Sequence, residues 1–278
     1  MGSNPTPGTV SVTQGTLTPV GHIRSADVVA SALAASDAGV PDRENAASHG
    51  VALKTIRRWR RLYQRRGLPR GQAHTTVPCP KCTSASLDGP AYAELLGWYL
   101  GDGYLSRGRR GVWNLHVYND ALYPDVNAHI ADLMRSVKPG GRPHTRLLPG
   151  CVATTTGWKH WPCLFPQHGP GRKHERTIAL EDWQRDLVAL HPGDFLRGLF
   201  HSDGSRTRNW ATQVVGGTVK RYDYPRWEFV NRSDDILGLC CWALDLCQIA
   251  WRRPRVNAIA VSRRDAVQTL DVLIGPKS

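Results

Sequence analysis

Apolar and polar positions change period repeatedly after Gly89, and the changes predict alternating helices and strands. From Ala91 to Leu100 the chain is almost continuously apolar and ends in Gly101-Asp102-Gly103, which predicts a buried helix. A shorter echo from Phe195 to Phe200 ends in Ser202-Asp203-Gly204. A β-like run follows each: Val112–Tyr118 in the first case, Trp210–Val219 and then Trp227–Val230 in the second. Helices are predicted next over Tyr123–Val137 and Asp234–Cys247; in the latter Ile236, Leu237, Cys240, Cys241, Leu244 and Cys247 share a face. The alternating strand Val256–Val261 is matched loosely by Arg142–Thr156, and Ala266–Ile274 reads as a short amphipathic helix. The same order appears twice, and Gly97, Asp102 and Gly103 recur as Gly198, Asp203 and Gly204 at a constant offset of 101 residues. The stretch 89–278 is therefore an internal repeat, with copies over about 89–190 and 191–278.

Upstream the pattern is helical and basic. Ser25–Ala35 (with Ser25 as N-cap), Glu44–His49 and Leu53–Arg65 read as three helices, with Gly50 stopping the second. Ala46, Ala47, Val51, Ile56 and Trp59 are the expected core of this small all-α module, residues 22–71. Residues 1–21 read as a disordered lead without an apolar signal sequence, and 72–88 as a linker carrying Cys79-Pro-Lys-Cys82.

Charge narrows the partners. The chain has 278 residues and a formal net charge of +13, with nine Lys or Arg against two acids between Pro41 and Arg70. Such an excess points to a polyanion. With neither a membrane span nor an amphipathic anchor, nucleic acid is favoured over a lipid surface. Seven cysteines without a signal sequence fit reduced thiols in a cytoplasm better than a disulfide framework.

The paired aspartates carry the candidate chemistry. Gly97 and Gly101 share a helix face, as do Gly198 and Ser202, so two helices can cross closely and bring Asp102 and Asp203 to one point. Gly103 and Gly204 are expected as left-handed helix stops. Two carboxylates at two negative helix ends repel, and a cation resolves the conflict. Hard oxygen donors select Mg²⁺ (or Mn²⁺), which also binds phosphate.

Leu96-Gly-Trp-Tyr-Leu-Gly-Asp-Gly103 and Leu196-Arg-Gly-Leu-Phe-His-Ser-Asp-Gly204 resemble the two motifs of the LAGLIDADG (dodecapeptide) homing endonucleases, over roughly Gly89–Ser278. The resemblance implies an α+β fold of two pseudo-symmetric αββαββα repeats whose sheets saddle double-stranded DNA, with a monomer expected for the two-repeat domain. It also implies metal ligands at Asp102 and Asp203, helped by the backbone carbonyls of Gly101 and Ser202, and a basic residue nearby. Lys173 is the first-repeat candidate for that base. The second repeat offers no clear lysine, Arg253 and Arg255 being nearest. Asn45–Trp59 resembles helix-turn-helix segments of resolvase and transposase type, which implies base contacts from Lys54, Thr55 and Arg58 and further DNA contacts from Arg57, Arg61 and Arg65. The expected function is a metal-dependent, sequence-specific DNA endonuclease of the cytoplasm and nucleoid; the alternative is a non-cleaving transcriptional regulator. Cys79 and Cys82 have the spacing of half a Zn²⁺ site, with His74, Cys151 and Cys163 as possible partners.

Overall fold

The computed structural model describes residues 24–66 and 77–276, and only the backbone of 62–66. The lead 1–21, His74 and the Arg65 side chain lie outside the described residues. The chain divides into two compact units, 1–76 and 77–278.

In the first unit Ser25 N-caps helix α1 (Ala26–Asp37), its hydroxyl accepting from the Val28 N–H at 3.4 Å. Helices α2 (Asp42–Ser48) and α3 (Leu53–Arg66) follow. Val29, Ala32, Leu33, Ala46, Ile56 and Trp59 make the core, with Val51 packed against it. Ala47 is exposed, contrary to expectation, and the interior position goes to its neighbour Asn45. The Asn45 amide donates to the Ala32 carbonyl at 2.8 Å and to the Ser36 hydroxyl at 2.9 Å, so a polar side chain is buried with partners.

The second unit begins with a short helix, α4 (Pro80–Thr83), and then α5 (Gly89–Leu100). Asp88 N-caps α5 through the Ala91 N–H at 3.1 Å, and Pro90 sits in the first turn where its missing N–H costs nothing. Next come β1 (Gly103–Arg107), β2 (Trp113–Asp120), α6 (Pro124–Val137), β3 (His144–Leu148), β4 (Cys151–Trp158), α7 (Trp161–Leu164) and α8 (Asp182–Leu190). The second copy runs α9 (Pro192–Asp203), β5 (Gly204–Val215), β6 (Thr218–Val230), α10 (Asp234–Leu246), β7 (Arg252–Arg255), β8 (Ala258–Val261) and α11 (Arg264–Ile274). The sheets are both antiparallel and have matching strand orders, β1-β2-β4-β3 and β5-β6-β8-β7. The α+β fold with two αββαββα copies is thus as expected, the closing helix being α11 in the second copy and the short α7 with α8 in the first. Strand β1 was not visible in the pattern, because Gly103-Tyr-Leu-Ser-Arg107 is short and has only Leu105 turned inward.

The core lies between the sheets and the central helix pair. Every residue of α5 from Ala91 to Leu100 is buried, as its unbroken apolar sequence demands. Leu105, Leu115, Val117 and Trp158 line the inner face of the first sheet, and Trp227, Phe229, Ile259 and Val261 that of the second. The period-2 alternation leaves polar rows on the opposite faces. Across the first sheet Tyr104, His116, Thr155 and His144 stand in register. Across the second, Thr207 pairs with Arg226 and Asn209 with Tyr224.

Candidate active site at the paired helix ends

Helices α5 and α9 meet backbone to backbone. A Cβ on Gly97 would lie 2.4 Å from the Phe195 carbonyl oxygen, and one on Gly198 only 2.1 Å from that of Glu94. A Cβ on Gly101 would fall 2.0 Å from the Ser202 hydroxyl. Each mid-helix glycine costs about 1 kcal/mol of helix stability. Full burial of Leu95, Leu96, Leu100, Leu196 or Leu199 returns about 2 kcal/mol apiece, so close packing wins. The crossing places Asp102 just past the C-cap of α5 and Asp203 at the last residue of α9.

Gly103 and Gly204 do something other than stop helices in the left-handed region. Neither has a positive φ, and Gly204 is extended at φ −91°, ψ 153°. They are needed because each first strand turns back over its own helix. A Cβ at Gly103 would sit 2.5 Å from the Tyr99 Cα, and one at Gly204 2.5 Å from the Phe200 carbonyl oxygen.

Lys173 comes to the same point from the segment between α7 and α8, late in the first repeat. Its ammonium donates to the carbonyls of Leu100 at 3.0 Å and Gly101 at 2.6 Å, and also to that of Tyr99. It therefore caps the negative end of α5 with all three donors used. Burial pulls the amine down from its ordinary 10.5 to about 8; Asp203 and then Asp102 pull the other way, and Arg176 adds to the fall. Both carboxylates thus act on one buried ammonium. The Gly101 carbonyl, expected to face a metal, is shared with Lys173.

Asn231 was missed by the sequence reading. Its amide donates to the Asp203 Oδ2 at 2.8 Å. A signal existed: Gly103 pairs with Val117 and Gly204 with Phe229, so Asn119 and Asn231 occupy equivalent places two residues further on. Arg232 was also missed. With Arg172, Lys173, His174, Arg176, Asn231 and Asp203 it lines a cleft of about 610 Å³. Arg253 and Arg255 do not line that cleft: Arg253 pairs with Asp234 and Arg255 with Glu228. His201 turns into the core, stacking on Trp98 at 5.9 Å and hydrogen-bonding the Ile274 carbonyl at 3.0 Å. Ser202 donates its hydroxyl to the Leu199 carbonyl at 2.8 Å.

The donor set at the crossing, two carboxylates with adjacent carbonyls, is hard oxygen and suits Mg²⁺ or Mn²⁺. Polar side chains on the outer sheet faces are organised as well. His116 bridges Ser106 at 2.8 Å and Thr155 at 3.0 Å and stacks on Tyr104 at 4.7 Å. Burial, then the charges of His144 and Arg146, hold its imidazole below the usual range. On the second sheet the β5–β6 hairpin carries exposed Trp210 and Tyr222, with Arg221 over the Trp210 ring at 5.0 Å.

In the first unit Lys54, Arg57, Arg58 and Arg61 are exposed, and with Thr55 they line one groove on α3. Arg57 and Arg60 also pair with Asp42 at 3.3 and 3.0 Å. Cys79 and Cys82 lie beside His160 and Cys163, whereas Cys151 heads β4, outside that group. All seven cysteines are unbridged, and no described helix is long and apolar enough to cross a membrane.

No family model and no curated protein matches the chain. Solved structures similar to it include the homing endonuclease I-DmoI in complex with DNA and Mn, at 13% identity and a TM-score of 0.43, covering 68% of this chain and 98% of that one. The N-terminal LAGLIDADG domain of DUF199/WhiA is also similar at 13% identity and 0.43, covering 74% and 86%. The LAGLIDADG meganuclease I-AabMI bound to uncleaved DNA follows at 12% and 0.41, covering 66% and 82%. At such identities and scores the likeness says nothing about activity. The similar solved structures include homing endonucleases and the LAGLIDADG protein WhiA.

Proposed function

We propose that the second unit binds double-stranded DNA along the polar faces of its two sheets and cleaves a phosphodiester at Asp102 and Asp203. The observation that supports this reading is the buried Lys173 ammonium, bonded to the carbonyls that end α5, in a basic cleft that Asp203 also lines. Asp102 and Asp203, with the carbonyls of Gly101 and Ser202, would hold Mg²⁺ or Mn²⁺, which supplies an activated water and stabilises the leaving oxygen. Asn231 fixes the rotamer of the Asp203 carboxylate. Lys173 places positive charge where the phosphorane would build negative charge. Arg172, Arg176 and Arg232 draw the phosphate backbone to the cleft. The first unit adds a helix-turn-helix: Lys54, Thr55 and Arg58 reach base edges while Arg60 and Arg61 sit near phosphates. A monomer carries both repeats.

Two observations favour the alternative, a DNA-binding transcriptional regulator that does not cut. The Gly101 carbonyl is already bonded to Lys173, and the second repeat brings Arg232 rather than a lysine to the cleft.

The deciding experiment incubates the full chain with a randomised duplex library and Mg²⁺ or Mn²⁺, sequencing bound and cut molecules. Cleavage is expected from the wild type. Asp102→Asn and Asp203→Asn should each lose it by more than about 100-fold, since removing even an outer partner of a metal site costs about 10- to 100-fold. Specific binding with no cutting under either metal would leave the regulator; no duplex binding at all would end both readings.

A further inference from the structure

The structure assigns a second metal centre, a structural zinc site formed by Cys79, Cys82, His160 and Cys163, apart from the paired aspartates. The ligand atoms of all four lie within 4.8 Å of one another. The Cys82 sulfur is 3.7 Å from the Cys163 sulfur and 3.6 Å from the His160 Nδ1, and Cys163 is 3.7 Å from the same nitrogen. A tetrahedron with Zn–S near 2.3 Å and Zn–N near 2.0 Å has edges of about 3.8 Å between sulfurs and about 3.5 Å between sulfur and nitrogen. The three measured edges match those values. A disulfide needs sulfurs at about 2.05 Å, so these distances describe ligands around a shared point, not a bond.

The backbone supports the same reading. Both halves have one spacing, Cys79-Pro-Lys-Cys82 and His160-Trp-Pro-Cys163, and both are short helical turns with a proline in the first turn. Cys79 caps α4 and His160 caps α7, and the two turns pack together. The Cys82 N–H donates to the Cys79 carbonyl at 3.1 Å, which closes the turn that brings the two cysteines to one side. Thr83 donates both its N–H and its hydroxyl to the Cys79 carbonyl, at 2.8 and 2.9 Å. Three thiolates and an imidazole, with no position left for water, are the donor set of a structural zinc and not of a catalytic one. The metal would clamp the chain entering α5 to the start of the segment that later delivers Lys173. Loss of the ion then loosens that segment without touching the carboxylates.

The test uses the full chain purified without chelator. Elemental analysis should find one zinc per chain that survives dialysis against Mg²⁺, and Asp102→Asn/Asp203→Asn should keep it. Cobalt substitution should give the thiolate charge-transfer and tetrahedral ligand-field bands of a three-sulfur, one-nitrogen site. His160→Ala should lose the bound metal, whereas His160→Cys should retain it with cobalt bands shifted towards a four-sulfur site, which guards against a variant that merely misfolds. A wild type that is folded by circular dichroism yet takes up neither zinc nor cobalt overturns the inference. So does zinc that leaves with the aspartates and stays with His160→Ala, or a Cys82–Cys163 disulfide in protein purified under reductant.

Discussion

The two repeats share strand order and packing but divide their chemistry unequally. In the first, α5 ends before its aspartate and its terminal carbonyls are taken by Lys173. In the second, α9 runs through Asp203, and Asn231 holds the carboxylate. The first hairpin is short, 5 and 8 residues; the second, 12 and 13 residues, carries exposed Trp210 and Tyr222 near mid-strand. Buried charge differs too. Glu94 of α5, almost wholly buried, pairs with His129 of α6 at 2.7 Å and Arg197 of α9 at 3.4 Å. At the offset of the repeat, α9 has Phe195 in the place of Glu94. The lesson is that the helix crossing demands near-identical small residues on both sides, while each side solves its own charge problem with whatever the neighbouring segments supply.

That symmetry of backbone contact can be broken first. Gly198→Ala and Gly97→Ala should each destabilise the second unit by at least about 3 kcal/mol, because the new methyl meets backbone that cannot move aside. Gly238→Ala in α10, with nothing within 4 Å of its Cβ, should instead stabilise by about 0.5–1 kcal/mol. Denaturant midpoints of the three variants check this, and an equal shift at Gly97, Gly198 and Gly238 would refute the close crossing.

The asymmetry of carboxylate support is sharpened by a matched pair. Asn231→Ala should lower metal-dependent cleavage about 10- to 100-fold with DNA affinity kept. Asn119→Ala, the equivalent substitution in the first repeat, should lower cleavage less, since its amide donates to the Asp120 carbonyl at 3.4 Å. Similar losses in single-turnover assays would mean that both repeats hold their aspartates alike.

The smallest effect concerns pH. The hydrogen bond to Glu94 raises the His129 pKa above 6.5, with Asp132 adding to it, while burial and Arg197 oppose. A raised histidine stabilises the fold fully below about 6.5, and that contribution fades as pH climbs through the raised value. The melting temperature should therefore fall modestly from pH 6 towards 8. His129→Asn should flatten the curve; α10, which has no histidine, contributes no comparable slope. An unchanged slope in His129→Asn would place the titrating group elsewhere.

What the amino-acid order determined by itself is local or periodic. Residues 91–100 bury on all sides because they are apolar on all sides, and α1 starts at Ser25 because a hydroxyl there satisfies an N–H. The repeat, and the carboxylates at its helix ends, could be read because the same spacing occurs twice. Where spacing alone was used to infer backbone conformation, at Gly103 and Gly204, it failed: close approach of a strand to its own helix, not a left-handed turn, excludes a side chain there. Tertiary structure alone decided the partners that arrive from far along the chain. Lys173 reaches carbonyls more than 70 residues away, and Cys82 meets Cys163 across 81 residues. Asn231 finds Asp203 only because β6 pairs with β5 in one register. Loop closure over such lengths costs little more than over short ones. Sequence distance therefore gives no hint of which polar groups meet; packing of the apolar faces fixes the geometry, and the polar partners follow from it.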